Sequence, residues 1–195
     1  SLKSAILINS DLSRATISGS NFSGANLRDT ILQNTRIENS IFNNSSLQSV
    51  NLKNSTISGS SFNNAVLSDL NLQTSAIAET TLTEANMNRV DISASEISES
   101  SFEKSQMQDS NLTLSTTEST SFIQAVLHRA NLSHAIIKNS DFSRVKANSA
   151  LMNNTTVTHT KFIEADLAMA NLTQGTFDNC FFDNASLKDI TAPEF

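Results

Sequence analysis

Reading every fifth residue from Leu2 gives Leu2, Leu7, Leu12, Ile17, Phe22, Leu27 and Leu32, and the series runs without a slip to Ala192. Of these 39 positions, 38 are Ala, Val, Ile, Leu, Met or Phe; the exception is Thr117. A period of five fits neither the helix at 3.6 nor the strand at 2, and it is not the heptad of a coiled coil. What remains is a short extended run with a corner every five residues. The residue two before each centre is small, as in Ala5, Ser10, Ala15, Ser20, Ala25 and Thr30. Two apart on an extended run means the same side. A large and a small residue therefore face inward together, and the other three face water.

A period of 20 lies on top of the period of five. Phe occupies 22, 42, 62, 102, 122, 142, 162 and 182, with Leu82 filling the gap. Ile recurs at Ile17, Ile37, Ile57, Ile77, Ile97 and Ile137, and the other two columns are mostly Leu. Phe22, Phe42, Phe62, Phe102, Phe122, Phe142, Phe162 and Phe182, with that Ile series, are the expected structural core. Four pentapeptides thus form one coil with four distinguishable sides. Charge tests this independently, because residues 20 apart would sit one strand spacing apart, where like charges repel. Opposite charges occur at Asp69/Arg89, Glu84/Lys104, Arg89/Asp109, Asp109/Arg129, Glu118/Lys138, Asp141/Lys161, Arg144/Glu164 and Lys146/Asp166. The only like pair is Glu79/Glu99.

These residues resemble the pentapeptide-repeat family, whose consensus is A(D/N)LXX. Ala25-Asn26-Leu27, Ala85-Asn86-Met87, Ala130-Asn131-Leu132, Ala165-Asp166-Leu167 and Ala170-Asn171-Leu172 carry the resemblance most closely. Ser replaces Ala at Ser10-Asp11-Leu12 and Ser110-Asn111-Leu112. The resemblance spans the whole chain and implies an all-β fold, a right-handed quadrilateral parallel β-helix. At 20 residues per coil the 195 residues make about 9–10 coils, a rod roughly 45 Å long. The chain is expected to be one repeat domain, 1–195. Its opening without Met, and with Leu2 already in phase, reads as a piece of a longer polypeptide. Ile190, large where a small residue is due, and Pro193 mark 190–195 as the end of the regular repeat.

This architecture resolves a composition that otherwise argues against folding. Only 38% of residues are hydrophobic, and Ser, Thr and Asn together make 74 of 195. Such a chain buries too little apolar surface for an ordinary globule. A coil needs only two inward residues in five, and contacts run to neighbouring coils. Thr117 is then expected as a buried hydroxyl satisfied by backbone. Ala147, small for its Leu column, is expected to be compensated by the large inward Val145.

Several function classes recede. The net charge of −6 disfavours direct nucleic-acid binding, and there is no apolar stretch of membrane-spanning length. The single Cys180 allows no internal disulfide. His128, His134 and His159 fall on different sides of the coil, so no metal or other cofactor is expected. No phosphate loop, dinucleotide fingerprint or nucleophile elbow appears, and a filled convex rod offers no catalytic cleft. The chain is therefore read as non-catalytic.

Charge is distributed in blocks: +2 over 1–68, −7 over 69–118, +4 over 119–161 and −5 over 162–195. Glu79 over Glu99, with Glu96 and Glu103 nearby, forms an acidic patch suited to a partner supplying Lys or Arg. Outward Ile123, Ile163 and Phe181 suggest an apolar contact surface in the last third of the stack. The leading expectation is a protein–protein interaction or scaffold module. Its Ser- and Asn-rich, degenerate repeats are similar to those of enterobacterial type III secretion effectors. That resemblance implies a bacterial protein, cytoplasmic or delivered into a host cell, whose rod recruits a host protein. The alternative the family suggests is DNA mimicry directed at DNA gyrase. Against it stand the two positive blocks and the pairing of opposite charges. A passive spacer is the third reading.

Overall fold

The computed structural model describes residues 1–192, and Pro193, Glu194 and Phe195 lie outside the described residues. Nine three-residue strands recur every 20 residues: β1 (Thr16–Ser18), β2 (Arg36–Glu38), β3 (Thr56–Ser58), β4 (Ala76–Ala78), β5 (Glu96–Ser98), β6 (Thr116–Glu118), β7 (Ile136–Lys138), β8 (Thr156–Thr158) and β9 (Thr176–Asp178). They form one parallel sheet in the order of the chain, and each centre pairs with the residue 20 further on, Ile37 with Ile57 and Ile57 with Ile77. The other three sides pair through single bridges of the same register, such as Asn21↔Ile41, Ile6↔Asn26 and Asp11↔Ile31. The molecule is thus a four-sided parallel β-solenoid, with no helix among the described residues. Coils are numbered here from residue 1, coil 1 being 1–20, and the side carrying β1–β9 is called the fourth side.

Corners explain much of the polar composition. The residue two after each centre has a left-handed backbone throughout, with φ between 47° and 67°. On two sides, and at some coils of a third, the amide after it closes onto the centre's carbonyl, as from Ala25 to Phe22 at 2.9 Å and from Ala135 to Leu132 at 3.0 Å. A positive φ only at the third residue of such a 1→4 bond is the signature of a type II turn. Most of these positions are not Gly, at a cost of about 1–2 kcal/mol each. Their amides bond to the next coil, Asn44 to the Asn63 carbonyl at 3.0 Å for example. The Asn or Asp before each centre accepts the amide of the residue after it, as Asn71 does from Gln73 and Asn131 from Ser133, both at 3.0 Å. The D/N of the repeat is thereby a turn cap. After the fourth side, and at Thr35, Ser55 and Ser75 on the side before it, the turn bond is replaced. The amides of Ser40 and Thr80 donate to the hydroxyls of Ser60 and Ser100 one coil on, both at 3.1 Å.

The interior is a set of ladders. Phe22, Phe42 and Phe62 stack with centroids 4.7 Å apart, and Phe102, Phe122, Phe142, Phe162 and Phe182 continue the stack at 4.5–5.4 Å. Of the expected core only Phe182 is merely half-buried, because it lies at the end of the stack. Leu82 interrupts the aromatic ladder. Near it, large Leu70 fills an inward position usually held by a small residue, and an apolar void of about 10 Å³ remains between Phe62, Leu70 and Leu82. Its exposed walls are apolar and offer a water no hydrogen-bond partner. Val145 and Ala147 are both buried, the compensation anticipated from their sizes. A second compensation was not anticipated. Large Phe177 replaces Ile in β9, and Gly175 stands at the small position beside it. Thr117 is 2% exposed between Ile97 and Ile137. No buried side-chain nitrogen or oxygen among the described residues lacks a hydrogen-bond partner.

Candidate interaction surface

The coil geometry gathers the acidic residues around one corner. Glu79 and Glu99 follow β4 and β5 at the left-handed position, with φ 50° and 47°, so both side chains point off the corner into solvent. They lie one coil apart; the Glu79 amide donates to Ser98 O, and that of Glu99 to Glu118 O, both at 3.1 Å. Glu96 opens β5, exposed, in register with Ala76 and Thr116. Glu103 sits past the corner, half-buried, and accepts the Ser121 hydroxyl at 3.0 Å. Glu79 and Glu99 thus stack one coil apart at the corner, Glu96 stands on the same side at the other end of its strand, and Glu103 belongs to the adjoining side. Among the described residues no cation lies within ion-pair distance of Glu79, Glu96 or Glu99.

Sequence reading missed Glu118. The spacing of 20 sets it over Lys138, and β6 and β7 place the two in register, but they do not form an ion pair. Between the outward rows of β5 and β6 lies an open groove of about 220 Å³, lined by Glu96, Ile97, Ser98, Thr116 and Glu118. Glu118 therefore extends the acidic corner onto the fourth side.

Two other expected pairs, Arg89/Asp109 and Lys146/Asp166, also fail to close. Arg89 is already committed in a fork to Asp69, with Nε–Oδ1 2.7 Å and Nη2–Oδ2 2.8 Å, and Arg129 takes Asp109 in the same way. Arg144 pairs with Glu164 at 2.8 Å. The lysine pairs are looser, 3.7 Å for Lys104–Glu84 and 3.9 Å for Lys161–Asp141. The planar guanidinium holds a carboxylate bidentately, whereas the flexible, strongly hydrated ammonium does not. A further pair, Arg36 with Glu38 along β2, was not anticipated.

The hydrogen bonds from Arg89 and Arg129 hold the Asp69 and Asp109 carboxyls below the ordinary carboxylate range. Burial pushes Asp91 up, but donors from Ser93, Gln73 and Asn111 outweigh it, and its pKa is also lowered. Inward Cys180 takes a Ser/Thr place, with Sγ 3.5 Å from Asp178 O and 3.6 Å from Val157 O, and burial raises its pKa. Among the described residues no group of three or more His, Cys, Asp or Glu could hold a metal ion.

The apolar candidates divide. Ile123 and Ile163 occupy the same outward position two coils apart, with Ser143 between them, and both are half-buried. Phe181, 53% exposed, bridges to Lys161 at the far end of the stack. Phe181 and Ile163 are neighbours; Ile123 stands apart. Leu114, 64% exposed at a corner with φ 59°, and Ile136, 39% exposed in β7, were overlooked. An outward Leu at a left-handed position is a detectable signal once corners are located.

The family model for pentapeptide repeats matches the chain in 8 copies over residues 5–44, 45–74, 118–146 and 140–179. Among solved structures the chain is similar to HetL, a pentapeptide repeat protein involved in heterocyst differentiation regulation from the cyanobacterium Nostoc sp. strain PCC 7120. The two are 19% identical, over 96% of this chain and 91% of that one, with a TM-score of 0.50. A trypsin-treated form of QnrB1, a plasmid-mediated fluoroquinolone resistance protein, matches at 14% identity over 92% and 90% of the two chains, with a TM-score of 0.47. Likeness at these identities concerns the fold alone. No curated protein matches the sequence. With the repeat model covering well over half of its length, on a four-sided coil of 20 residues, the chain belongs to the pentapeptide-repeat family.

Proposed function

We propose that this rod is a non-catalytic protein-interaction module whose acidic corner, Glu79, Glu96 and Glu99 with Glu118 beside them, receives a partner surface rich in Lys or Arg. The observation carrying this is Glu79 stacked over Glu99, the one like-charge pair at the spacing of 20, with no cation within ion-pair distance of either among the described residues. Stacking Glu79 over Glu99 costs stability in the free protein, and a cationic partner reverses that cost. In the setting of a secreted bacterial effector, this corner recruits a host protein, and Phe181 with Ile163 adds an apolar contact at the far end.

The test starts from the partner captured by the isolated rod and measures its affinity for variants. E79K/E99K is expected to weaken binding more than tenfold, and undiminished binding sinks the acidic-corner reading. Phe181→Asp tests the apolar contact in the same assay. Capture of DNA gyrase would favour the DNA-mimic reading instead. That reading stands second because Lys138, Lys146 and Lys161 interrupt the negative surface directly beyond the acidic coils.

A further inference from the structure

Formal charge changes sign at the boundary between coils 6 and 7, from −7 over 69–118 to +4 over 119–161. On the fourth side this boundary separates β6, ending in Glu118, from β7, ending in Lys138. That side is the only one built of three-residue strands among the described residues, and its outward positions are mostly Ser, Thr and Ala. It is a sheet face on which few long side chains block close approach.

We propose that the fourth side binds a second copy of this chain, with the two rods antiparallel. The two-fold axis lies in the face, along the strand direction, at the boundary between coils 6 and 7. Such an axis sets Glu118 against the partner's Lys138 and Lys138 against the partner's Glu118, four charges alternating in sign. One coil further out, Glu96 of β5 meets the partner's Thr156. Beside the axis, Thr116 meets the partner's Ile136, which covers an apolar side chain left 39% exposed in the free rod. Parallel rods would instead lay acidic coil on acidic coil, so charge selects the antiparallel arrangement. Isologous contacts of this kind close as dimers and do not propagate.

Coils 4 to 9 overlap in this arrangement, giving a face about 29 Å long at one strand spacing per coil. At a width of about 10 Å it buries roughly 300 Å² per partner, well below the roughly 800 Å² of a stable complex. The dimer is therefore weak, and being led by charge it dissociates in salt. The inference rests on the fourth side and its acidic corner being the interaction face, and it names one occupant.

Sedimentation velocity over a hundredfold range of concentration, at low and high salt, reads the association directly. The wild type is expected to dimerise at low salt and revert to monomer at high salt. E118K and K138E, each confirmed folded by circular dichroism, are expected to stay monomeric alone, because each sets like charges across the axis. An equimolar mixture of the two is expected to dimerise at least tenfold more tightly than either alone, since both cross-axis pairs are then opposite in sign. A wild type that is monomeric throughout, a dimer indifferent to E118K, or a mixture no tighter than its components overturns the proposal. Partner binding by the acidic corner is measured separately on the monomeric K138E variant, so either reading can fail alone.

Discussion

Removing one rung from the aromatic ladder tests how the solenoid is held together. Phe122 is fully buried and stacks on Phe102 at 4.9 Å and on Phe142 at 4.5 Å. Truncating a buried Phe to Ala costs about 3–5 kcal/mol from lost transfer energy and the cavity left behind. Each stacked contact adds about 0.5–1.5 kcal/mol beyond area. Phe122→Ala should therefore reach the upper end, about 4–5 kcal/mol. Phe182 supplies the comparison. It stacks on Phe162 alone, at 5.0 Å, meets Phe177 edge-on at 5.9 Å and is half-buried, so Phe182→Ala should cost about 2–3 kcal/mol. Phe122→Leu should cost far less than the Ala variant, because Leu82 already occupies an equivalent rung. With no Trp and no Tyr in the chain, urea unfolding is followed by far-UV circular dichroism. Because contacts run only between neighbouring coils, Phe122→Ala is also expected to broaden the transition, the two halves of the rod losing cooperativity. A cost below about 1 kcal/mol for Phe122→Ala, or one no larger than for Phe182→Ala, would refute the reasoning.

Gly175→Ala places a Cβ 2.8 Å from the Phe177 ring and 3.1 Å from the Leu172 carbonyl, and should cost about 1–3 kcal/mol. Gly175→Ala with Phe177→Ile should recover most of that in the same urea assay. Leu82→Phe overfills the void of about 10 Å³ and destabilises alone, whereas adding Leu70→Ala makes room and should restore the midpoint. The depressed Asp69, Asp109 and Asp91 carboxyls contribute stability that is complete above the ordinary carboxylate pKa of 3.8 and is lost as pH falls below it through their folded values. Asp69→Asn plus Asp109→Asn should flatten that acid limb in urea midpoints taken from pH 6 to pH 2, and an unchanged slope contradicts the assignment.

How the fold could be read from the sequence follows from the strictness of the period. A centre such as Ile57 has a partner at Ile77 because 20 residues close one coil, and nothing between them is inserted or lost. Side-chain volume was equally legible at Val145 and Ala147, since a large and a small inward residue exchanged places. Outward charge was less so. Spacing put Glu118 over Lys138, but spacing sets only the backbones, and whether two long side chains meet depends on their conformational freedom. Arg89 reached one of its two candidate carboxylates, Asp69, and a fork cannot serve both. The exposed Leu114 went unnoticed because outward positions were treated as equivalent before the left-handed corner was located.

The central claim is that residues 20 apart stack one strand spacing apart along the whole rod. Spin labels at Thr56 and Thr156, in a Cys180→Ser background, occupy the same position on β3 and β8, five coils apart. Their separation by pulsed electron paramagnetic resonance is predicted to be narrow and centred at about 24 Å, five strand spacings. A broad distribution, or one centred far from that distance, would contradict the coil.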